Sequence, residues 1–166
     1  VHDMVDMFVL LLAPGAGDEL QGIKRGIVEL ADLLVVTKSD GDLEAPAGRV
    51  AADYHHALGL LRPTDPDWRA EVVQVSSTEG RGIDRVWDAV GRYRAALEGS
   101  GGIARRRAEQ ARAWMWREVS ESLLAALDAH PAASTMAVAL EARVAAGEIT
   151  PSKAAQALVA AFRGEA

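Results

Sequence analysis

The chain has 166 residues, of which 49% are apolar and 25% are charged, with a net charge of −6 and no cysteine. This composition suits one globular domain with an appendage, excludes disulfides and thiolate metal sites, and argues against a nucleic-acid-binding surface. The four histidines lack a metal-binding spacing. The apolar run at residues 8–13 is too short to span a bilayer and no signal peptide is present, so we expect a cytosolic protein.

Strands and helices are predicted to alternate up to residue 98. Nearly continuous apolar runs are typical of strands buried on both faces of a parallel sheet, whereas apolar residues spaced by three and four indicate helices. The alternation predicts an α/β fold with a parallel sheet and ligand-binding loops at the carboxyl ends of its strands. In chain order we expect a strand at Val5–Ala13, a helix at Glu19–Asp32, a strand at Leu33–Thr37, a helix at Gly48–Leu61, a strand at Glu71–Val75 and a helix at Ile83–Leu97.

A glycine-rich segment, Glu98–Gly102, predicts a domain boundary. We therefore expect a first domain at residues 1–98 and a small all-α domain at residues 103–166. The second domain begins with a long helix at Ile103–Ala129, and a shorter helix follows and ends near Ala146.

The last helix is predicted from the residues at its ends. Thr150 is the expected N-cap, Pro151 lies in the first turn and Gly164 follows the last turn. A helical piece of this size buries little surface alone, so packing on the first domain or on a second copy is expected.

The long helix carries two clusters of informative side chains. Arg105, Arg106 and Arg107 predict a solvated helix face, with an acidic partner surface as the alternative. Trp114 and Trp116 are in helical phase with apolar residues, so we expect them to pack in a core rather than bind a ligand.

The segment Thr37-Lys38-Ser39-Asp40, at the end of the second predicted strand, has the pattern of a guanine-binding loop. The Asp40 carboxylate can accept hydrogen bonds from the ring N–H and the exocyclic amine of guanine, and adenine has no such pair of donors. Lys38 can lay its aliphatic stem along the base. The alternative is an ordinary solvated turn.

A second loop supports the same interpretation. Ser76, Ser77 and Thr78 follow the strand at Glu71–Val75, where guanine-nucleotide-binding folds use a tight turn to offer a backbone N–H to the guanine carbonyl oxygen. Gly80 and Gly82 allow such a loop to pass close to a ligand. An ordinary strand-to-helix loop is the alternative for this segment alone. Together, in this order, the two loops favour a guanine site.

Along its whole length the chain resembles the MeaB/ArgK family of P-loop GTPases, the chaperones associated with methylmalonyl-CoA mutase. The run GDELQGIKRG followed by TKSDGD is the most specific part of the match. The matching segments are Val1–Asp6, Leu10–Gly26, Ala31–Asp42, Val75–Trp87, Arg105–Trp116 and Ile149–Phe162.

The sequence contains no G-x-x-x-x-G-K-[ST] phosphate loop. Gly17 and Gly22 have the required gap, but Ile23 occupies the position of the lysine. We therefore expect the chain to be the C-terminal part of such a protein, with no catalytic residue, no metal ligand and no Mg²⁺ ligand of its own. Thr37 also departs from the asparagine that most GTPases have there, which predicts a lower nucleotide affinity.

The resemblance implies GTP or GDP with Mg²⁺ as the cofactor and methylmalonyl-CoA mutase, or a related cobalamin-dependent acyl-CoA mutase, as the partner. It implies a GTP hydrolase that gates cobalamin loading and protection of the mutase, and a homodimer formed through the helical domain. The protein would be cytoplasmic in a bacterium, and mitochondrial in a eukaryote.

The segment after the first strand is the expected regulatory switch. In the resembled family it senses the nucleotide and relays its state to the mutase, and Asp18, Gln21 and Lys24 are spaced to share one helix face. The alternative is a plain helix start, at which Asp18 complements the helix dipole.

Two other functions remain as alternatives. The chain can be a non-catalytic dimerisation and partner-binding module in which the guanine loops are relics. Transport of amino acids or cobalamin energised by ATP is a further alternative, against which Asp40 argues because it does not pair with adenine.

Overall fold

The computed structural model describes residues 2–15, 26–63 and 65–164. The chain divides into two compact units, Val1–Gln110 and Ala111–Ala166. The first is an α/β unit and the second is helical. The predicted fold class is therefore confirmed.

Three parallel strands form the sheet of the first unit in the order β1-β2-β3. They are β1 (Val9–Leu12), β2 (Leu33–Val36) and β3 (Glu71–Gln74). All four residues of β2 are buried, because this strand lies between the other two and helices cover both faces of the sheet. β1 is shorter than the predicted strand at Val5–Ala13, because its pairing with β2 runs only from Val9 to Leu12.

Alternate residues of β2 enter two separate cores. Leu34 and Val36 pack with Ala47 and Ala51 of the helix α1 (Glu44–Leu60) and with Val28, near the end of a helical segment at residues 26–29. On the opposite face Leu33 and Val35 pack with Ala89 of the helix α2 (Ile83–Gly99). The sheet therefore holds the loops that follow its strands on a rigid base.

The arginines at the start of the long helix α3 (Gly102–Ala129) are paired with carboxylates of the same chain. Arg106 is almost buried and binds Asp32, so the prediction of a solvated face is wrong for this residue. The Nε of Arg107 lies 2.7 Å from Oδ1 of Asp6, and this bond lowers the pKa of that carboxyl. Local spacing predicted a solvated face because it carries no information on carboxylates distant in sequence.

The pairs explain where the first compact unit ends. The Gln110 amide also donates to the Val5 carbonyl, 2.9 Å away, so residues 102–110 are held on the α/β unit. The division between the units consequently falls after Gln110, inside α3.

The second unit contains the rest of α3 together with α4 (Pro131–Ala145) and α5 (Pro151–Arg163), and the last two helices pack on each other. The predicted cap is confirmed, because the Thr150 hydroxyl accepts from the Lys153 N–H at 3.3 Å. Gly164 ends α5 with a φ of 70°, as its position predicts.

The two tryptophans of α3 do not pack in a core of this chain. Trp114 is 47% exposed and Trp116 is 61% exposed, so the prediction that they pack is wrong for the chain by itself. Helical phase places a side chain on one face of its own helix, but it does not supply a surface for that face to contact.

Within the described residues no single helix is long and apolar enough to cross a membrane, although α3 and α4 pass that test together as a pair bent by 89°. The same part of the chain holds no cluster of three or more His, Cys, Asp or Glu side chains that could bind a metal ion.

Candidate functional site

The two loops that the sequence singled out lie side by side at the carboxyl end of the sheet. They follow β2 and β3, which are adjacent and parallel, so both loops leave the sheet at the same edge. The Ser39 N–H donates to the Val75 carbonyl at 3.0 Å, and the Val75 N–H donates to the Val36 carbonyl at 2.9 Å. The strand pairing therefore extends into the first residues of the two loops.

Thr37 anchors the first loop to the end of β1. Its backbone N–H and its hydroxyl both donate to the Leu12 carbonyl, at 2.7 and 3.0 Å. The threonine thus holds this loop to the neighbouring strand with a hydroxyl, where an asparagine would use its amide.

Lys38 has the only positive φ, 56°, of any non-glycine residue in the described part of the chain. A left-handed conformation of this kind costs about 1–3 kcal/mol and is found most often at functional sites, where the surroundings enforce it. The Lys38 side chain is exposed. The conformation turns the chain between Thr37, which is bonded to β1, and Ser39, which is bonded to Val75 just after β3.

Asp40 is oriented by a serine of the other loop. Ser76 is fully buried, and its hydroxyl donates to Oδ2 of Asp40. The same hydroxyl accepts from the Glu79 N–H at 3.0 Å, so its single proton is directed to the carboxylate. No other described residue bonds to Oδ1 of Asp40, and each carboxylate oxygen has two lone pairs. Asp40 can therefore still accept two hydrogen bonds from a ligand.

The second loop forms a tight turn that exposes Ser77 and Thr78. The turn is closed by the Ser76 N–H, which donates to the Arg81 carbonyl at 2.9 Å. The N–H groups of Ser77 and Thr78 bond to no other described residue. They are accordingly available to the carbonyl oxygen of a ligand that contacts the turn.

Gly82 is required by the close approach of this turn to β3. Its φ is 78°, and a Cβ atom on it would lie 2.3 Å from the Gln74 carbonyl oxygen. No side chain is compatible with that distance, so this glycine fixes how near the turn lies to the sheet.

Arg81 connects the two loops, and the sequence reasoning did not find it. Its guanidinium donates to the Ser39 carbonyl in the first loop. It also donates to the Glu44 carboxylate at the start of α1, at 2.7 Å. The signal available in the sequence was its position between two glycines.

The other predicted site residues are Asp18, Gln21 and Lys24, and they lie outside the described residues. The described residues thus bring together the predicted base-binding set at one edge of the sheet: Thr37, Lys38, Asp40, Ser76, Ser77 and Thr78.

A parallel sheet with helices on both faces, and with loops of this chemistry at its carboxyl edge, is the architecture of the P-loop GTPase class. The family model described as methylmalonyl Co-A mutase-associated GTPase MeaB matches residues 1–132. The chain belongs to this family.

Several relatives agree with this assignment. The chain is 46% identical over 163 residues to a mouse protein named methylmalonic aciduria type A homolog, mitochondrial, and 47% identical over 162 residues to a putative GTPase of Caulobacter vibrioides. These matches cover 98% of the chain but 39% and 49% of the two relatives. The chain is also 39% identical over 124 residues to the GTPase ArgK of Escherichia coli, a match that covers 75% of the chain and 38% of that relative.

Among solved structures, the crystal structure of an LAO/AO transport system kinase is similar, with a TM-score of 0.80 and 31% identity. It matches 96% of this chain and 51% of that protein. The chain thus spans about half of these proteins or less. The family is one of GTPases.

Proposed function

We propose that this chain is the guanine-recognition and partner-coupling part of a GTPase chaperone for an adenosylcobalamin-dependent mutase, methylmalonyl-CoA mutase or a related acyl-CoA mutase. GTP binding and hydrolysis would gate the loading and the protection of the cobalamin cofactor. The observation that carries the nucleotide part is the Asp40 carboxylate, oriented by the buried hydroxyl of Ser76 at the carboxyl edge of the sheet. The mutase part is supported by the name of the family and of the mouse relative.

Base recognition follows from the chemistry of the two loops. Asp40 accepts from the ring N–H and the exocyclic amine of guanine, while Ser77 and Thr78 offer backbone N–H groups to its carbonyl oxygen. Against adenine the same Asp40 carboxylate would face an acceptor, and the turn would face an amine that does not accept. Both mismatches leave polar groups unpaired, which is the arrangement that discriminates most strongly.

Hydrolysis of GTP needs groups beyond the base site. Phosphoryl transfer in this class depends on positioning the phosphates and on Mg²⁺, which neutralises the developing charge. GTP with Mg²⁺ is the proposed cofactor, and we assign neither a catalytic residue nor a magnesium ligand within these 166 residues. The chain by itself is expected to release no phosphate from GTP in a released-phosphate assay, because its sequence has no phosphate loop.

We assign coupling between the nucleotide and the mutase to Asp18, Gln21 and Lys24. Their spacing in the sequence would place them on one face of a helix, and a glycine-containing run, Pro14–Gly17, precedes them. They lie near in sequence to β1, whose last carbonyl binds Thr37 of the base loop. A conformational change in this segment would therefore reach the guanine site through a few residues of chain and the hydrogen bond between Leu12 and Thr37.

Homodimer formation is the proposed role of the second unit. The part of α3 beyond residue 110 exposes a band of large apolar side chains, which soluble proteins usually cover with a partner. Its members are Met115, Trp116, Val119 and Leu123, with Leu124 beside them. The same band is the observation that favours the second candidate function, a non-catalytic dimerisation and partner-binding module.

Nucleotide preference tests the proposal. In the full-length gene product, Asp40→Asn is expected to shift preference from GDP to XDP, because xanthine has a carbonyl that accepts from the new amide where guanine has an amine. Titration calorimetry with GDP, XDP and ADP measures the change. Asp42→Asn removes an exposed carboxylate two residues away and should keep the preference for GDP. Equal affinity of the unmodified protein for ADP and GDP would rule out the guanine site.

A further inference from the structure

Arg81 makes contacts on both sides of the gap between the two base-recognition loops. Its backbone carbonyl closes its own turn by accepting from the Ser76 N–H, at 2.9 Å. Its side chain leaves that turn and reaches the other loop, where Nη2 donates to the Ser39 carbonyl. Nη1 donates to Oε1 of Glu44 at 2.7 Å, in the first turn of α1.

The chemistry of arginine suits a brace of this kind. A guanidinium is a planar fork with fixed donor directions, so it can bind two acceptors at a set separation. Glu79, with Oε2 at 3.2 Å from Nη2, flanks the same group. The hydrogen bond to Glu44 is the largest of the effects that raise the pKa of Arg81, so the side chain stays charged.

The Arg81 side chain is 51% exposed, so these ion pairs contribute little to the stability of the fold. What they fix is the distance between the two loops. The Ser39 carbonyl belongs to the peptide unit that leads into Asp40, and the Arg81 backbone belongs to the turn that presents Ser77 and Thr78. The side chain therefore joins the two groups that would bind neighbouring atoms on the Watson–Crick edge of one base.

We propose that Arg81 is a positioning residue for guanine recognition, which sets the gap between the Asp40 carboxylate and the Ser77–Thr78 turn. The inference rests on the proposed function, since it concerns the same base site. Without Arg81 the Ser76 hydroxyl still orients Asp40, but the peptide before Asp40 loses its tie to the opposite turn. The Asp40 carboxylate then pairs less well with the exocyclic amine, and selectivity falls more than overall folding does.

Arg85 provides a matched control. It lines the same cavity of about 580 Å³ as Arg81, Ser39 and Ser76, and its side chain bonds to no other described residue. Removing its side chain changes the charge and volume of that cavity by the same amount as removing Arg81, but it leaves the link between the loops in place.

The experiment compares GDP, IDP and ADP by titration calorimetry in the full-length gene product. IDP lacks the exocyclic amine and therefore reports the part of the affinity that this amine supplies. Arg81→Ala is expected to reduce the preference for GDP over IDP by about fivefold, as the weakening of one charge-assisted hydrogen bond would. Arg85→Ala is expected to leave this ratio unchanged. Glu44→Gln keeps the Ser39 contact but weakens the second one, so it should lower the ratio in the same direction and by less.

The outcomes separate this inference from the proposed function. If the unmodified protein prefers GDP to ADP, and Arg81→Ala and Glu44→Gln keep its ratio of GDP to IDP affinity, the positioning role is overturned and the guanine site stands. If the unmodified protein binds ADP and GDP equally, both fail. A general loss of fold would weaken the binding of all three nucleotides together, and thermal unfolding of each variant would detect it. If Arg81→Ala loses its fold, the result for Glu44→Gln alone decides whether Arg81 has the positioning role.

Discussion

Arg106 and Asp32 form a two-bond ion pair that ties the start of α3 to the start of β2. Nη1 of Arg106 lies 2.9 Å from Oδ2 of Asp32, and Nη2 lies 3.1 Å from Oδ1. The side chains are only 11% and 3% exposed. The same carboxylate accepts from the Phe8 N–H at 2.7 Å, and the same guanidinium donates to the Asp6 carbonyl at 2.7 Å. The pair is buried with its hydrogen-bonding groups well satisfied.

Removal of one partner of this pair should be costly. In Arg106→Met the Asp32 carboxylate stays buried without its cation, so we expect the free energy of unfolding to fall by about 3 kcal/mol. Urea unfolding followed by circular dichroism measures the change. Arg105→Met is the control, because Arg105 is half exposed and its nearest carboxylate oxygen is 3.5 Å away, on Asp67. Its effect should stay within about 0.5 kcal/mol. Equal unfolding midpoints for the two variants would contradict the assigned role of the pair.

Gly82 should tolerate no side chain. Gly82→Ala combines a φ of 78° with a Cβ 2.3 Å from the Gln74 carbonyl oxygen, so the turn or β3 must shift. Gly80→Ala is the matched control, since its φ is 68° and nothing lies within 4 Å of its Cβ position. The control should cost about 1–2 kcal/mol for the left-handed conformation, and Gly82→Ala should cost more. Chemical unfolding of both variants gives the comparison, and an equal loss in the two would show that the contact with Gln74 is not limiting.

Trp116 should contribute to self-association. It is 61% exposed in the single chain, and an exposed tryptophan in an apolar band is a frequent interface anchor. Trp116→Arg is expected to shift the full-length gene product from dimer toward monomer in light scattering. Trp87→Arg is the control, because Trp87 is exposed on α2 in the first unit and lies outside that band. A monomeric unmodified protein, or an unchanged dimer in Trp116→Arg, would argue against an interface on this face.

Lys24 should affect coupling rather than nucleotide affinity. In the full-length gene product Lys24→Ala is expected to leave GDP affinity nearly unchanged, because Lys24 is not part of the base site. It should reduce the acceleration of GTP hydrolysis by the mutase, since the substitution removes coupling free energy between the sites. Arg25→Ala removes the neighbouring cation and is the control. The change must exceed the ~0.5 kcal/mol of an indifferent surface substitution. Equal mutase-stimulated rates for Lys24→Ala and the unmodified protein would return the segment to a plain helix start.

The sequence determined the features that depend on short stretches of chain. An apolar run made β2 recognisable, and the residue types at Thr150 and Gly164 predicted the ends of the last helix, because caps depend on a few neighbouring residues. The two loops predicted to bind the base were recognised in the same way. A parallel sheet places the loops after adjacent strands at one edge, so their proximity follows from the order of elements.

Tertiary structure alone decided which charged and aromatic side chains find partners. Arg106 pairs with a carboxylate 74 residues away, and Arg81 reaches a carbonyl 42 residues away, whereas the sequence neighbours of both arginines offer no sign of these contacts. Trp114 and Trp116 were predicted to pack in a core but remain exposed in the single chain. Periodicity fixes the face of an element on which a residue lies, but packing between distant segments decides which residues that face contacts. The strength of an ion pair depends on the burial and the geometry that this packing produces.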